Sequence, residues 1–246
     1  MEKKNIFKLF LGVVCFLTML GCEQKKENAE ENFSCEDNAN SIYQNSSLNN
    51  FEKSKFDKLL NEKFLLYENL FKKAGEENNV EWELLAAISF QESQWDPRAK
   101  SNMGVRGMMM LTQETAKSLG ITNRIDPRNS IIGGSRHLAD ISASINYGLT
   151  EFDRINFALA TYNLGATNIN NAIAQIDIEP QSLTWDDLKK ELLVLDGDEL
   201  YFKPQNGYSR GQQTIDFVER TREYALLMRV YSCKDSINQL TAASGI

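Results

Sequence analysis

The sequence predicts an all-α protein. Three observations carry that reading. Apolar residues recur at helical spacing from Phe51 to about Ser236. Two-residue alternation, the mark of strands, is nearly absent. Glycine, proline and capping residues fall between the periodic runs, where helices should begin and stop.

The chain has 246 residues, with 42% hydrophobic and 25% charged residues and a formal net charge of -7. This suits one compact domain with extensions. The acidic balance lacks the basic footprint of a nucleic-acid binder. No internal repeat of solenoid or propeller period is evident.

The N-terminus reads as a processing signal. Lys3 and Lys4 precede "FLGVVCFLTML", which is too short to span a bilayer and ends in Gly21-Cys22. This resembles a bacterial lipoprotein signal over residues 1–21, with Cys22 lipidated. The alternative is an ordinary signal peptide with an incidental cysteine. Glu23, rather than aspartate, follows the cysteine. By the same resemblance the address is the cell envelope, on the periplasmic face of the outer membrane. From 22 to 50 the composition turns to Asn, Glu, Ser and Lys, a solvated tether that cannot bury a core.

Of the four cysteines, Cys15 leaves with the signal and Cys22 is acylated. Cys35 and Cys233 remain in an oxidising compartment, so a disulfide between them is expected. Two free thiols are the alternative.

The all-α domain is expected over 51–236, with a short C-terminal tail at 237–246. Phe56, Leu59, Leu60, Phe64 and Leu66 predict one amphipathic helix from about Glu52 to Lys73. "AGEENN" ends it and caps a second helix, from about Val80 to Ser93, which Pro97 forbids to continue. Thr112 suits the N-cap of a short helix that Gly120 stops. Asp126-Pro127 opens another. Its Gly133-Gly134 pair weakens it by about 1 kcal/mol per glycine, tolerable where another backbone packs close. "FDRINFALATYNLG", "ATNINNAIAQI" and "TWDDLKKELL" read as three further helices, and "YFKPQNGYSRG" as a loop. The final helix spans "QQTIDFVERTREYALLMRVYS", with Ile215, Val218, Tyr224 and Leu226 on its apolar side.

One residue breaks the pattern. Leu84, Leu85, Ile88 and Glu92 share a stripe of the second helix, which puts a carboxylate at the edge of the core. Desolvation there raises a carboxyl pKa, which suits a general acid. The plain alternative is a carboxylate that reaches solvent or pairs with Arg98 or Arg106. Around Glu92 stand Ser93, a possible donor, and Trp95, an apolar plate for a sugar or for packing. Two glycines flank Arg106 in a loop that needs free backbone dihedrals. Met108, Met109 and Met110 offer apolar contacts or core filling. Tyr162 and Asn163 end a helix, either facing a cleft or serving packing and capping.

The ordered set "ISFQESQWDP", "GVRGMMMLT", "TAKSLGI", "DPRNSIIGGSRHL", "ALATYNLG" and "GYSRGQQTIDFVERTREY" resembles the soluble lytic transglycosylase (SLT) domain family of murein-cleaving enzymes. The likeness covers about 79–224 and is greatest to the catalytic domain of the membrane-bound F type. It implies a lysozyme-like, all-α fold. Glu92 matches the catalytic acid and Ser93 a substrate-binding serine. Gly107-Met108-Met109-Met110 matches a Gly-Leu-Met-Gln segment. Tyr162-Asn163 matches a Tyr-Asn motif, and Phe217-Val218 a Tyr-Val pair. Gln91, Met109, Met110 and Tyr208 join the implied substrate contacts. Met110 replaces a glutamine, and Phe217 loses a hydroxyl. Thr161 replaces an alanine without evident harm. His137 stands where relatives often have tyrosine and is expected to pack or lie at the surface. F-type members carry a solute-binding-like module ahead of this domain, whereas here a tether and one helix precede it.

The resemblance implies non-hydrolytic cleavage between N-acetylmuramic acid and N-acetylglucosamine, with 1,6-anhydromuramoyl ends. No cofactor and no metal are expected, and the partners are glycan strands and, through Cys22, a membrane. The chain is expected to be a monomer. Two alternatives stand: a goose-type muramidase with a second acid among Asp96, Asp126 and Asp140, or a glycan-binding scaffold lipoprotein without turnover.

Overall fold

The computed structural model describes residues 41–102, 104–194 and 209–244, with side chains through 236. Among these the regular structure is helical, and extended pairing is limited to two isolated bridges, Lys100–Arg106 and Arg106–Leu111. The helices are α1 (41–45), α2 (Asn50–Glu62), α3 (Glu68–Asn78), α4 (Trp82–Ser93), α5 (Gln113–Ser118), α6 (Pro127–Ser144), α7 (Glu151–Leu164), α8 (Ala166–Ile173), α9 (Trp185–Val194) and α10 (Arg210–Ser244).

The expected single helix from Glu52 to Lys73 is two helices joined by a 3-10 turn over Phe64–Leu66. Lys63 leaves helical geometry at φ -125°. The turn lets Phe64 sink fully into the core while Leu66 stays 74% exposed. Phe64 then stacks on Phe71, with ring centroids 5.8 Å apart. Helical spacing runs across this break, so periodicity alone hides it. Further on, "AGEENN" continues α3 until Asn79 turns left-handed at φ 51°. Gly75 is required inside α3, because a Cβ there would meet the Val80 carbonyl oxygen at 2.6 Å.

α4 is the centre of the domain. It packs most extensively on α10 and also on α3 and α6. Leu85 through Phe90 are all buried, so the helix has no polar face over these turns. The expected stripe is therefore a fully enclosed cylinder, the pattern of a central helix. Each large apolar side chain here contributes roughly 1.5–3 kcal/mol by burial. An aromatic cluster of Phe56, Phe90, Trp95 and Tyr224 ties α2 and α10 to the far end of α4.

Local signals place the remaining elements. Thr112 accepts from the Thr115 N–H and caps α5. Asp126 accepts from the Asn129 N–H and caps α6. Thr150 and Asp153 form a capping box at α7. Asp153 also accepts from the Trp185 N–H at 2.8 Å, which docks α9 beside α7. The acidic segment that follows α9, from 195 to 208, lies outside the described residues. Gly133 and Gly134 are close-approach sites, but to side chains rather than backbone: added Cβ atoms would meet Leu111 at 2.8 Å and Met109 at 2.7 Å.

Candidate active site

Glu92 stands where the central helix breaks surface. It lies in the last turn of α4, which ends at Ser93 before Gln94 turns left-handed at φ 54°. A cleft of about 810 Å³ opens over it. One wall is the loop of Ser101, Gly104, Val105 and Met110. A second wall is Thr112, Gln113 and Arg124. Tyr162 and Asn163 at the end of α7 meet Arg210 and Gln213 at the start of α10 on the far side.

Burial pushes the Glu92 carboxyl from its ordinary 4.5 up to about 8, and no counter-charge offsets it. Neither Arg98 nor Arg106 neutralises it. Part of the side chain touches the cleft, yet the depth of protein around it strips most of its water. The C-terminal end of a helix also disfavours negative charge, which acts in the same direction. At neutral pH the group is therefore mostly a protonated acid. Among the described residues, Glu92 is the one carboxylate that lines the cleft.

The loop opposite Glu92 is gripped at successive peptide units. Ser93 and Ser89 donate hydroxyl hydrogen bonds to the Met108 carbonyl, at 2.9 and 3.2 Å. Ser130 Oγ accepts from the Met109 N–H at 3.1 Å. The Tyr162 hydroxyl donates to the Met109 carbonyl at 2.8 Å. Met110 follows in the left-handed region at φ 44°, a costly conformation for a long side chain. Gly107 begins the turn at φ 86°, and a Cβ there would lie 1.9 Å from the Arg124 carbonyl oxygen.

Tyr162 is half-buried in the cleft wall, and burial followed by the nearby Glu92 charge holds its phenol well above its usual range. It remains a neutral donor. His137 packs its ring 5.3 Å from that of Tyr162, and burial lowers its pKa against an opposing pull from Asp140. Asn163 Oδ1 accepts from the buried Thr214 hydroxyl at 3.0 Å, which orients its amide at the cleft.

The residues singled out in the sequence divide. Glu92, Met110, Tyr162 and Asn163 meet in one cleft. Ser93 is spent on backbone carbonyls. Met109 is fully buried beneath Gly134. Gln91 does not line the cleft. Trp95 is completely buried and donates to the Ala86 carbonyl at 2.9 Å, so its plate faces core. Phe217 is buried in the core. Asp96 accepts from the Arg98 N–H and Asp126 caps α6, while Asp140 is exposed on α6. Cys233 is disulfide-bonded. Cys35, Cys22 and Tyr208 lie outside the described residues. The sequence does not single out Arg124, Arg210, Gln113 or Gln213: Arg124 and Arg210 fall in segments that read as loops, and Gln113 and Gln213 read as polar surface positions at helix starts.

Residues 69–183 match the family described as the transglycosylase SLT domain. The chain is 41% identical over 170 residues to the membrane-bound lytic murein transglycosylase F of Ectopseudomonas mendocina, covering 69% of this chain and 35% of that one. It is 44% identical over 165 residues to the enzyme of the same name from Salmonella arizonae, covering 67% of this chain and 32% of the other. Residues 69–183 belong to the SLT domain family. The chain spans about a third of the length of the curated relatives it matches. The SLT fold is also that of lytic transglycosylase Slt from Pseudomonas aeruginosa, at a TM-score of 0.50 and 19% identity over 66% of this chain and 24% of that one. The lysozyme-like, all-α fold expected from the sequence is thus the fold observed, and the SLT match covers α3 through most of the stretch before α9.

Proposed function

We propose that this chain is a peptidoglycan lytic transglycosylase with Glu92 as its acid and base. The observation that carries the reading is a carboxyl held protonated by burial in an open cleft, the one carboxyl lining it among the described residues. Its relatives, lytic murein transglycosylases by name, support it.

The residues suit the chemistry step by step. Glu92 donates its proton to the oxygen between N-acetylmuramic acid and N-acetylglucosamine, and the bond from that oxygen to C1 breaks. The N-acetyl oxygen of the substrate stabilises the positive charge at C1. Glu92, now a carboxylate, takes the proton of the muramoyl C6 hydroxyl, and that oxygen bonds to C1. The acid is regenerated and no water is consumed. Most glycosidases need a second protein carboxylate, whereas here the nucleophile belongs to the substrate. Its attack is intramolecular, with the rate advantage that implies. Asn163 offers a polar contact beside the reacting sugar and Met110 an apolar one, while Tyr162, its hydroxyl donated to Met109, holds the loop beside it. The grip of Ser93 on Met108 positions the loop.

The same reading extends to location. Residues 1–21 direct export, Cys22 is lipidated, and Cys35 pairs with Cys233 to tie the tether to α10. The protein is a monomer on the periplasmic face of the outer membrane. No helix among the described residues is long and apolar enough to cross a membrane. Cys22→Ala should release the protein from the membrane fraction.

The test is mass spectrometry of muropeptides released from purified sacculi. Ends lighter by one water and resistant to borohydride establish transglycosylation. Reducible, hydrated ends make the protein a muramidase. Binding to sacculi without products makes it a scaffold.

A further inference from the structure

Beyond Gln113 and Arg124 the catalytic cleft continues into a second groove of about 510 Å³. The two spaces share these residues as a common wall. Buried Ala116 and half-buried Ile121 form the apolar part of the groove. Among the described residues, Lys117 and Arg124 are its charged groups and no carboxylate lines it. Glu114, the nearest acid on α5, is exposed but does not line the groove. Arg124 is held in place, because one of its N–H groups donates to the Leu111 carbonyl at 2.7 Å. At Gly120 the chain reverses with φ 71°, and a Cβ there would meet nothing within 4 Å. Backbone geometry, not crowding, thus asks for glycine, and the space beside it stays open.

We propose that this groove receives the peptide arm of the glycan strand and holds its carboxylates with Lys117 and Arg124. The inference rests on the transglycosylase reading of the cleft. Its sugars are uncharged, but each muramoyl unit carries a lactyl-linked peptide with carboxylates along and at the end of it. A strand lying over Glu92 must send such arms sideways. A four-residue arm extends about 14 Å, enough to leave the cleft across the Gln113–Arg124 wall. The groove offers what that arm needs: an apolar floor for its methyl groups and the positive charge of Lys117 and Arg124. Arginine anchored by its own backbone contact is suited to carboxylate recognition, and the exposed lysine adds attraction that salt weakens.

The test is a binding titration, so that turnover is not needed. Glycan strands of defined length are prepared with tetrapeptide arms and, separately, stripped by an amidase. Stripped strands keep the lactyl carboxylate, so the comparison isolates charge carried further out. Both are titrated into the full chain carrying Glu92→Gln, with and without Lys117→Glu. The expected result is that arms tighten binding about 5–10-fold, and that Lys117→Glu removes this gain while stripped strands bind as before. Lys117→Ala should remove part of it. Equal binding of both strands, or equal weakening of both by Lys117→Glu, overturns the inference and leaves the transglycosylase reading standing. Failure of both strands to bind overturns both.

Discussion

The Tyr162 hydroxyl donates to the Met109 carbonyl at 2.8 Å, joining residues 53 apart in the chain. Ser130 holds the N–H of the same residue at 3.1 Å. Met109 is thereby fixed from both sides, and the next residue, Met110, enters the cleft in a left-handed conformation. Strained backbone persists where surrounding contacts over-determine it, and these two bonds supply that here.

Removing either grip should show in turnover more than in substrate affinity. Tyr162→Phe and Ser130→Ala each leave a buried backbone group unpaired, at a cost of about 1–3 kcal/mol. Each is expected to lower kcat with little change in KM. Because both act on one residue, the double variant should lose less stability than the two single losses added together. Denaturant unfolding of the four proteins measures this, and strict additivity would refute a shared clamp.

Glu92→Gln should abolish turnover and leave the fold intact, since an amide of the same shape cannot donate the proton. Circular dichroism and muropeptide release on the same preparation check both halves. Near-normal product from the variant would remove Glu92 from the mechanism.

The raised Glu92 pKa fixes the sign of two pH effects. Turnover requires the protonated form, so kcat/KM should be level near neutrality and fall about tenfold per pH unit above 8. Stability moves the same way. The folded state holds the proton more tightly than the unfolded state between 4.5 and about 8, so stability is lost as pH rises through that window. Glu92→Gln, which never ionises, should therefore gain on the wild type by roughly 1–3 kcal/mol between pH 5 and 9, less than the full shift because the group touches solvent. Melting curves at the two pH values give the difference directly; a constant gap would mean an ordinary carboxyl pKa.

Gly107 carries two constraints at once, a φ of 86° and a Cβ position 1.9 Å from the Arg124 carbonyl oxygen. Gly107→Ala should cost about 3 kcal/mol and lower Tm by about 6–12 °C for a domain of this size. Gly104 has a similar φ of 79° but open space around it, so Gly104→Ala should cost clearly less. Thermal unfolding of the pair separates crowding from dihedral strain.

The helices were legible because their signals are local. Thr112, Asp126 and Thr150 cap the helices that follow them, and Pro97 lies beyond the end of α4, as the sequence suggests. The break at Lys63 was not legible, because the apolar spacing runs through it and the choice is made by Phe71, Trp82 and Trp95 packing around Phe64. Trp95 and Met109 looked available to a ligand and are core, since exposure is a property of the assembled neighbours.

The sequence by itself determined the helical class, the family likeness and the acid at the end of an apolar helix. These follow from residue order and spacing over a few turns. Only the tertiary structure decided which polar groups meet Glu92. Tyr162, Arg124 and Arg210 come from separate elements, and no periodicity relates them. It also decided how Glu92 is charged, because a carboxyl pKa depends on the water that distant parts of the chain exclude.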